Sequence, residues 1–270
     1  MSVFTNVKKE DLKKLKGYTK LEPKTVYEEL RLQKDGGTLI LYTSKKLLVQ
    51  GNKDAIDKIS KQLAKVGIGD YVPVKKFKKE TGTIIGSDET LKGDTFGGMV
   101  VAAVKADKKV REQLAELGVV DSKILDDKEI SVMADKIRKI VTCKIVSLLP
   151  EEYNALNKHH NVTEILNKLH HDCAIALDPG KHVVDLYPGC KVGDVQEEKA
   201  ESKYVEVAAA SVLAREAALK QFNFLSVRAG FAIPKGSTHV KLALMELKDR
   251  GLDFNNFVKV KFGNVAEFLK

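Results

Sequence analysis

Asp88 and Glu89 stand side by side at the end of the apolar run "TIIGSDE", and the next residues, "TLKGDTFGG", bring Lys92 and three glycines. Two carboxylates 4 Å apart repel by about 1 kcal/mol in bulk water and about 4 kcal/mol at an effective dielectric near 20. A divalent cation relieves that repulsion, and oxygen-only ligands select hard ions such as Mg²⁺ or Mn²⁺. Two further acids fit the same chemistry. Asp178 closes the apolar run "CAIALDPG", which reads as a strand, and Glu201 lies in "KAESKYVEVAAAS" ahead of a long helical stretch. Ligands of α/β sheets collect beyond strand ends. The expected site therefore holds metal on Asp88, Glu89, Asp178 and Glu201, with Lys92 and the Gly93 backbone meeting a phosphate. The same acids at strand ends also suit turns or helix caps, and that alternative stays open on spacing alone.

The elements that must position these groups fall into two patterns. Residues 1–66 read as a small unit: "YEELRLQ", "GTLILYTS" and "KLLVQG" are strand-like, with tight turns at Lys34–Gly37 and at Ser44–Lys45. A helix follows from Asn52, with Ala55, Ile56, Ile59, Leu63 and Val66 on one face and Gly67 as its stop. Residues 67–80 combine glycine, proline and lysines and read as a linker, or equally as a solvated charge run. From residue 81 onward strands alternate with helices, which predicts an α/β layer architecture for 81–270. Asp126 and Glu129 form a capping-box pattern, and a long helix is expected from Tyr204 to about Ser226.

Composition narrows the partner. The chain has 270 residues with 46 Lys+Arg against 37 Asp+Glu, a formal +9, which favours a polyanionic partner, nucleic acid first, over a basic protein with no such partner. No run approaches the roughly 18 apolar residues of a membrane span, and "MSVFTNVKKEDLKK" lacks the apolar core of a signal peptide, so a cytoplasmic location without membrane contact is expected. Three widely spaced cysteines give no disulfide framework. His170, His171, Cys173, His182 and Cys190 share one stretch, but their spacing matches no zinc pattern. No surface pattern indicates an oligomer, and a monomer is the default.

The order of "GSDETLKGDTFGG", "LGVVDSKILDDKEI", "IALDPG" and "KAESKYVEVAAASVLAR" resembles the type 2 and type 3 ribonucleases H, and is most similar to type 3, ribonuclease HIII. "KGD" stands where type 2 usually has Gly-Arg-Gly, and "KAES" offers a glutamate where type 2 usually has aspartate. "GTLILYTSKKLLVQG" resembles the small N-terminal domain of type 3, an α+β module similar to the TATA-binding-protein fold that helps bind substrate. The resemblance implies a ribonuclease H-like mixed sheet flanked by helices. It also implies an endonuclease that cleaves the RNA strand of RNA–DNA hybrids by two divalent metals, leaving 5′-phosphate and 3′-hydroxyl ends. By position it assigns metal binding to Asp88, Glu89, Asp178 and Glu201. It assigns a place near the scissile phosphate to Lys123, and substrate-facing places to Lys92, Gly93, Ser122 and the Pro234–His239 stretch. In the small domain Lys45, Lys46 and Lys53 would add phosphate contacts. One position departs from the family pattern: Leu91 stands where glycine precedes the loop lysine, and leucine disfavours the left-handed backbone that glycine tolerates. A non-catalytic hybrid-binding relative with an altered loop is therefore the alternative.

Overall fold

The computed structural model describes residues 2–72, 77–119 and 125–269. The chain divides into two compact units, Met1–Lys76 and Phe77–Lys270.

The first unit is a six-stranded antiparallel sheet. Its strands are β1 (Ser2–Thr5), β2 (Thr19–Leu21), β3 (Glu28–Lys34), β4 (Gly37–Tyr42), β5 (Leu47–Gly51) and β6 (Asp70–Val72), in the order β2-β3-β4-β5-β1-β6. Asp35 and Gly36 both take positive φ and close β3 onto β4 in a two-residue turn, the geometry that matches strand twist. A short helix α1 (Lys9–Leu12) and the longer α2 (Lys53–Lys65) complete the unit. Asn52 caps α2 by accepting from the Ala55 N–H, and Ile56, Ile59 and Leu63 pack on Leu39, Leu41 and Val49. Strand β6 pairs with β1, so residues 70–72 are part of the small sheet, whereas the sequence reading put them in a linker. Three residues are too few for a periodic signal, and only their pairing identifies them.

The second unit is a five-stranded mixed sheet ordered β11-β10-β7-β8-β9. Its strands are β7 (Ile84–Thr90), β8 (Met99–Ala106), β9 (Thr142–Leu148), β10 (Lys181–Asp185) and β11 (Val195–Glu197). β7, β8 and β9 run antiparallel, and β10 and β11 run parallel to β7. The helices are α3 (Lys108–Leu117), α4 (Asp127–Arg138), α5 (Pro150–Asn157), α6 (Val162–Ile175), α7 (Val205–Ala229), α8 (Lys241–Asp249) and the short α9 (Gly263–Ala266). β8 shows how both faces are covered: Val100, Ala102 and Val104 enter the core with α7, while Met99, Val101 and Ala103 enter the core with α6. That is the period of two expected of a strand buried on both sides.

α7 lies close against the sheet because both surfaces are small. Ala208, Ala209, Ala210 and Ala214 are fully buried, and a Cβ on Gly86 would stand 2.5 Å from the Val207 nitrogen. Gly118 ends α3 in the left-handed conformation, and Asp126 with Glu129 closes both halves of a capping box on α4. Among the described residues, no helix is long and apolar enough to cross a membrane.

Candidate active site

Period two decides where the β7 acids point. Gly86 faces α7, and so does Asp88, which hydrogen-bonds Ser211 of that helix. Ser87 and Glu89 face α6, where both meet His170. Asp88 is only 8% exposed. Burial, then the charges of Glu89 and Asp185, push its carboxyl well above the usual range, while the Ser211 hydroxyl and the Glu89 N–H oppose that shift.

Asp185, not Asp178, is the third acid beside this pair. The parallel register sets Val184 of β10 against Ser87, so Asp185 follows level with Asp88. Its Oδ1 accepts the Ala200 N–H at 2.7 Å. That bond pins the 3₁₀ turn Ala200–Ser202, which carries the buried Glu201 into α7. Asp178 stands at the other end of β10. Lys181 pairs with Ile84, four residues and about 13 Å of strand before Asp88. Asp178 is exposed, and its N–H closes the turn after α6 by donating to the Ile175 carbonyl.

The misplacement has a physical cause. "CAIAL" looks like a strand in isolation, yet Cys173, Ala174 and Leu177 extend the helical spacing of Ile165, Leu166 and Leu169, and all six are buried. Ile175, which a buried parallel strand would cover, is 62% exposed. The true strand is "KHVVD", whose β-branched pair and terminal acid were the available signal.

Glu89 is held at both oxygens. Oε2 lies 3.2 Å from His170 Nε2, and Oε1 lies 3.6 Å from Lys92 Nζ. Lys92 also sits over the Tyr187 ring, 5.0 Å from its centroid, and that ring is 5.3 Å from the His170 ring. Behind Glu89, Ser87 Oγ lies 2.8 Å from His170 Nδ1 and 2.7 Å from His182 Nε2. The histidines that matched no zinc spacing are thus joined through a serine. Burial and the neighbouring His170 bring the His182 imidazole down to about 4.

The loop after β7 is firmly tied. Leu91 takes φ +67° and is nevertheless buried, with its side chain against Gly97. Left-handed backbone costs a non-glycine residue roughly 1–2 kcal/mol, and burying leucine returns about 1.5–3 kcal/mol. The loop therefore keeps the turn that glycine would give. Asp94 Oδ1 accepts the Gly236 N–H at 2.6 Å, and Thr95 donates to the Gly236 carbonyl, so the Pro234–His239 stretch borders this loop. Lys259, wholly buried, donates to the carbonyls of Asp94 at 2.6 Å and Gly97 at 3.1 Å. Gly93 is exposed, and a Cβ there would meet no protein atom within 4 Å.

Ser122 and Lys123 lie outside the described residues, as does the Lys53 side chain. Lys45 and Lys46 occupy the β4–β5 turn of the first unit, Lys45 exposed with φ +62°. His239 is exposed.

The donor set fits a hard divalent cation, because Asp88, Glu89, Asp185 and Glu201 offer only carboxylate oxygens and the first three crowd one strand-end region. Among the described residues, no three His, Cys, Asp or Glu side chains are already gathered as a ligand shell.

Residues 85–265 match the family model described as Ribonuclease HII. The chain is 32% identical to the ribonuclease HIII of Streptococcus agalactiae serotype Ia, over 86% of this chain and 85% of that protein. It is 32% identical to that of Bacillus cereus strain AH187, over 92% and 90%. The solved structure of Bst-RNase HIII in complex with Mn²⁺ superposes with a TM-score of 0.64 at 25% identity, covering 99% of this chain and 97% of that one.

Proposed function

This chain belongs to the ribonuclease HII family, on its ribonuclease HIII side, and from that premise we propose that it is a divalent-metal-dependent endonuclease cleaving the RNA strand of RNA–DNA hybrids. The observation that carries the reading is Asp185 set beside Asp88 by the β7–β10 register, next to a turn bearing Glu201. Asp88, Glu89, Asp185 and Glu201 would hold Mg²⁺ or Mn²⁺, the ion named for Bst-RNase HIII being Mn²⁺. When bound, a pair of such ions stabilises the attacking and leaving oxygens of a phosphodiester displacement, the chemistry that yields 3′-hydroxyl and 5′-phosphate ends.

The chain's own groups do the rest. Ser211 and the Glu89 N–H fix the Asp88 carboxylate. Lys92 offers an ammonium beside Glu89, and exposed Gly93 leaves its backbone open to a phosphate. Lys45 and Lys46 add positive charge on the small domain. Leu91 keeps the loop's left-handed turn, which favours the catalytic reading over a binding-only relative. The test is cleavage of an RNA–DNA hybrid with and without Mg²⁺ or Mn²⁺, using Asp88→Asn as the control. Metal-dependent product from the native protein, with none from the variant and hybrid binding retained, is expected. Full activity in Asp88→Asn, or binding without cleavage by the native protein, refutes the assignment.

A further inference from the structure

The α6 face of β7 carries a buried polar chain that the proposed cleavage chemistry does not use. Ser87 and His170 are fully buried, His182 is 8% exposed, and the sequence from His182 through Ser87 and His170 to Glu89 is continuous at 2.7, 2.8 and 3.2 Å. With one proton on each imidazole, hydrogen-bond counting gives the chain a single direction. Glu89 as a carboxylate can only accept, so His170 Nε2 must carry a proton. A neutral His170 then has a bare Nδ1, which must receive the Ser87 hydroxyl proton. The Ser87 oxygen in turn receives the proton on His182 Nε2. One proton per link satisfies every partner and buries no imidazolium behind the sheet.

We infer that His182, Ser87 and His170 form a continuous hydrogen-bonded relay that positions Glu89, holding Oε2 on His170 Nε2 while Oε1 stays beside Lys92. This rests on the assignment of Glu89 as a metal-holding acid. His170 and Ser87 are positioning residues, because they act only through Glu89. The depressed imidazole of His182 agrees with a neutral link at the start of the relay. Its main-chain N–H is separately anchored on Asp194 Oδ2 at 2.7 Å, and Tyr187 packs on the His170 ring while donating to Asn167. The relay is therefore fixed at both ends by groups outside it.

The first readout needs no activity. Nitrogen-15 histidine spectra of the full-length, metal-free protein should show His170 Nε2 carrying a proton, the one that faces Glu89. A bare Nε2 at His170 overturns the relay. The second readout is Mn²⁺ titration by calorimetry. Ser87→Ala and His170→Leu should weaken Mn²⁺ binding ten- to a hundredfold, the usual effect of removing a group that orients a ligand. Hybrid affinity without metal should be unchanged, and His170→Gln, which keeps an N–H in place of Nε2, should restore most Mn²⁺ binding. Mn²⁺ affinity within twofold of native in Ser87→Ala also overturns the proposal, and that smaller change keeps the test valid where His170→Leu fails to fold. A native protein with the expected His170 proton and Mn²⁺ binding but no hybrid cleavage leaves the relay standing and removes only the nuclease reading.

Discussion

Asp178 and Asp185 are seven residues apart in one chain segment, and each follows an apolar stretch. Their environments separate them: Asp178 is exposed after a helix, while Asp185 is half-buried at the end of a strand paired with β7 and β11. Asp185→Asn should therefore lower hybrid-cleavage kcat at least a hundredfold, because it removes a charge beside Asp88. Asp178→Asn should stay within about twofold of native, because its side chain reaches solvent. Steady-state cleavage of one hybrid by both variants, with thermal melts to confirm folding, checks this pair. Equal loss in both would mean that the strand register does not decide the ligand set. Asp88, Glu89 and Glu201 stand out as candidates in the chain alone because adjacent acids and the "KAES" pattern are local. The place of Asp185 does not stand out in that way, since it depends on which short run pairs with β7.

Elements show the same division between local and non-local information. Caps at Asn52 and Asp126 and the stop at Gly118 could be read from the chain, because each is a side chain or a left-handed glycine acting on its own helix. Strands β1, β2, β6 and β11 have three or four residues each, and neighbouring strands, not periodicity, establish them. Lys259 was equally hidden, since nothing in "FVKVKFGN" announces a buried ammonium. It is the clasp between the loop after β7 and the C-terminal segment, where Lys259 donates its main-chain N–H to Thr95 as well. Burial brings its ammonium down to about 7, with the nearby Asp94 charge opposing the shift. Below pH 7 the native state must bury a cation. Between pH 7 and the ordinary lysine value of 10.5 the unfolded chain binds the extra proton, so stability contributed at this position rises with pH. Lys259→Met has no such proton to lose. Urea unfolding at pH 6.5 and pH 9 should show the native protein gaining on the variant by on the order of 1–3 kcal/mol at the higher pH. A native-minus-variant difference that is flat, or that falls with pH, would show that the amine stays charged in the fold.

Across the whole molecule the charge is unevenly divided. Residues 1–76 hold 17 Lys+Arg and 9 Asp+Glu, a net +8, whereas residues 77–270 hold 29 and 28, a net +1. Nearly all the excess positive charge thus belongs to the small unit, and the acids proposed for metal all belong to the larger one. Affinity for a phosphate backbone comes chiefly from cations that displace condensed counterions, and it falls with salt in proportion to the phosphates neutralised. The small unit has its own sheet and its own apolar core, built on Leu39, Leu47 and Leu63, and the larger unit closes separate cores around β8. Removing residues 1–76 therefore takes away charge while leaving every residue of the larger unit's own cores in place. The cut must fall after residue 72, because β6 is an edge strand of the small sheet and a cut at 66 would strand it. The shortened protein should cleave hybrid with kcat within about threefold of native and KM raised tenfold or more. The slope of log Kd against log salt should also become shallower, since fewer phosphates are neutralised. Fluorescence anisotropy on a labelled hybrid at several salt concentrations, run beside steady-state cleavage, measures both quantities. An unchanged salt slope would place the phosphate contacts on the larger unit despite its near-neutral balance, and the small sheet would then need a role other than electrostatic capture.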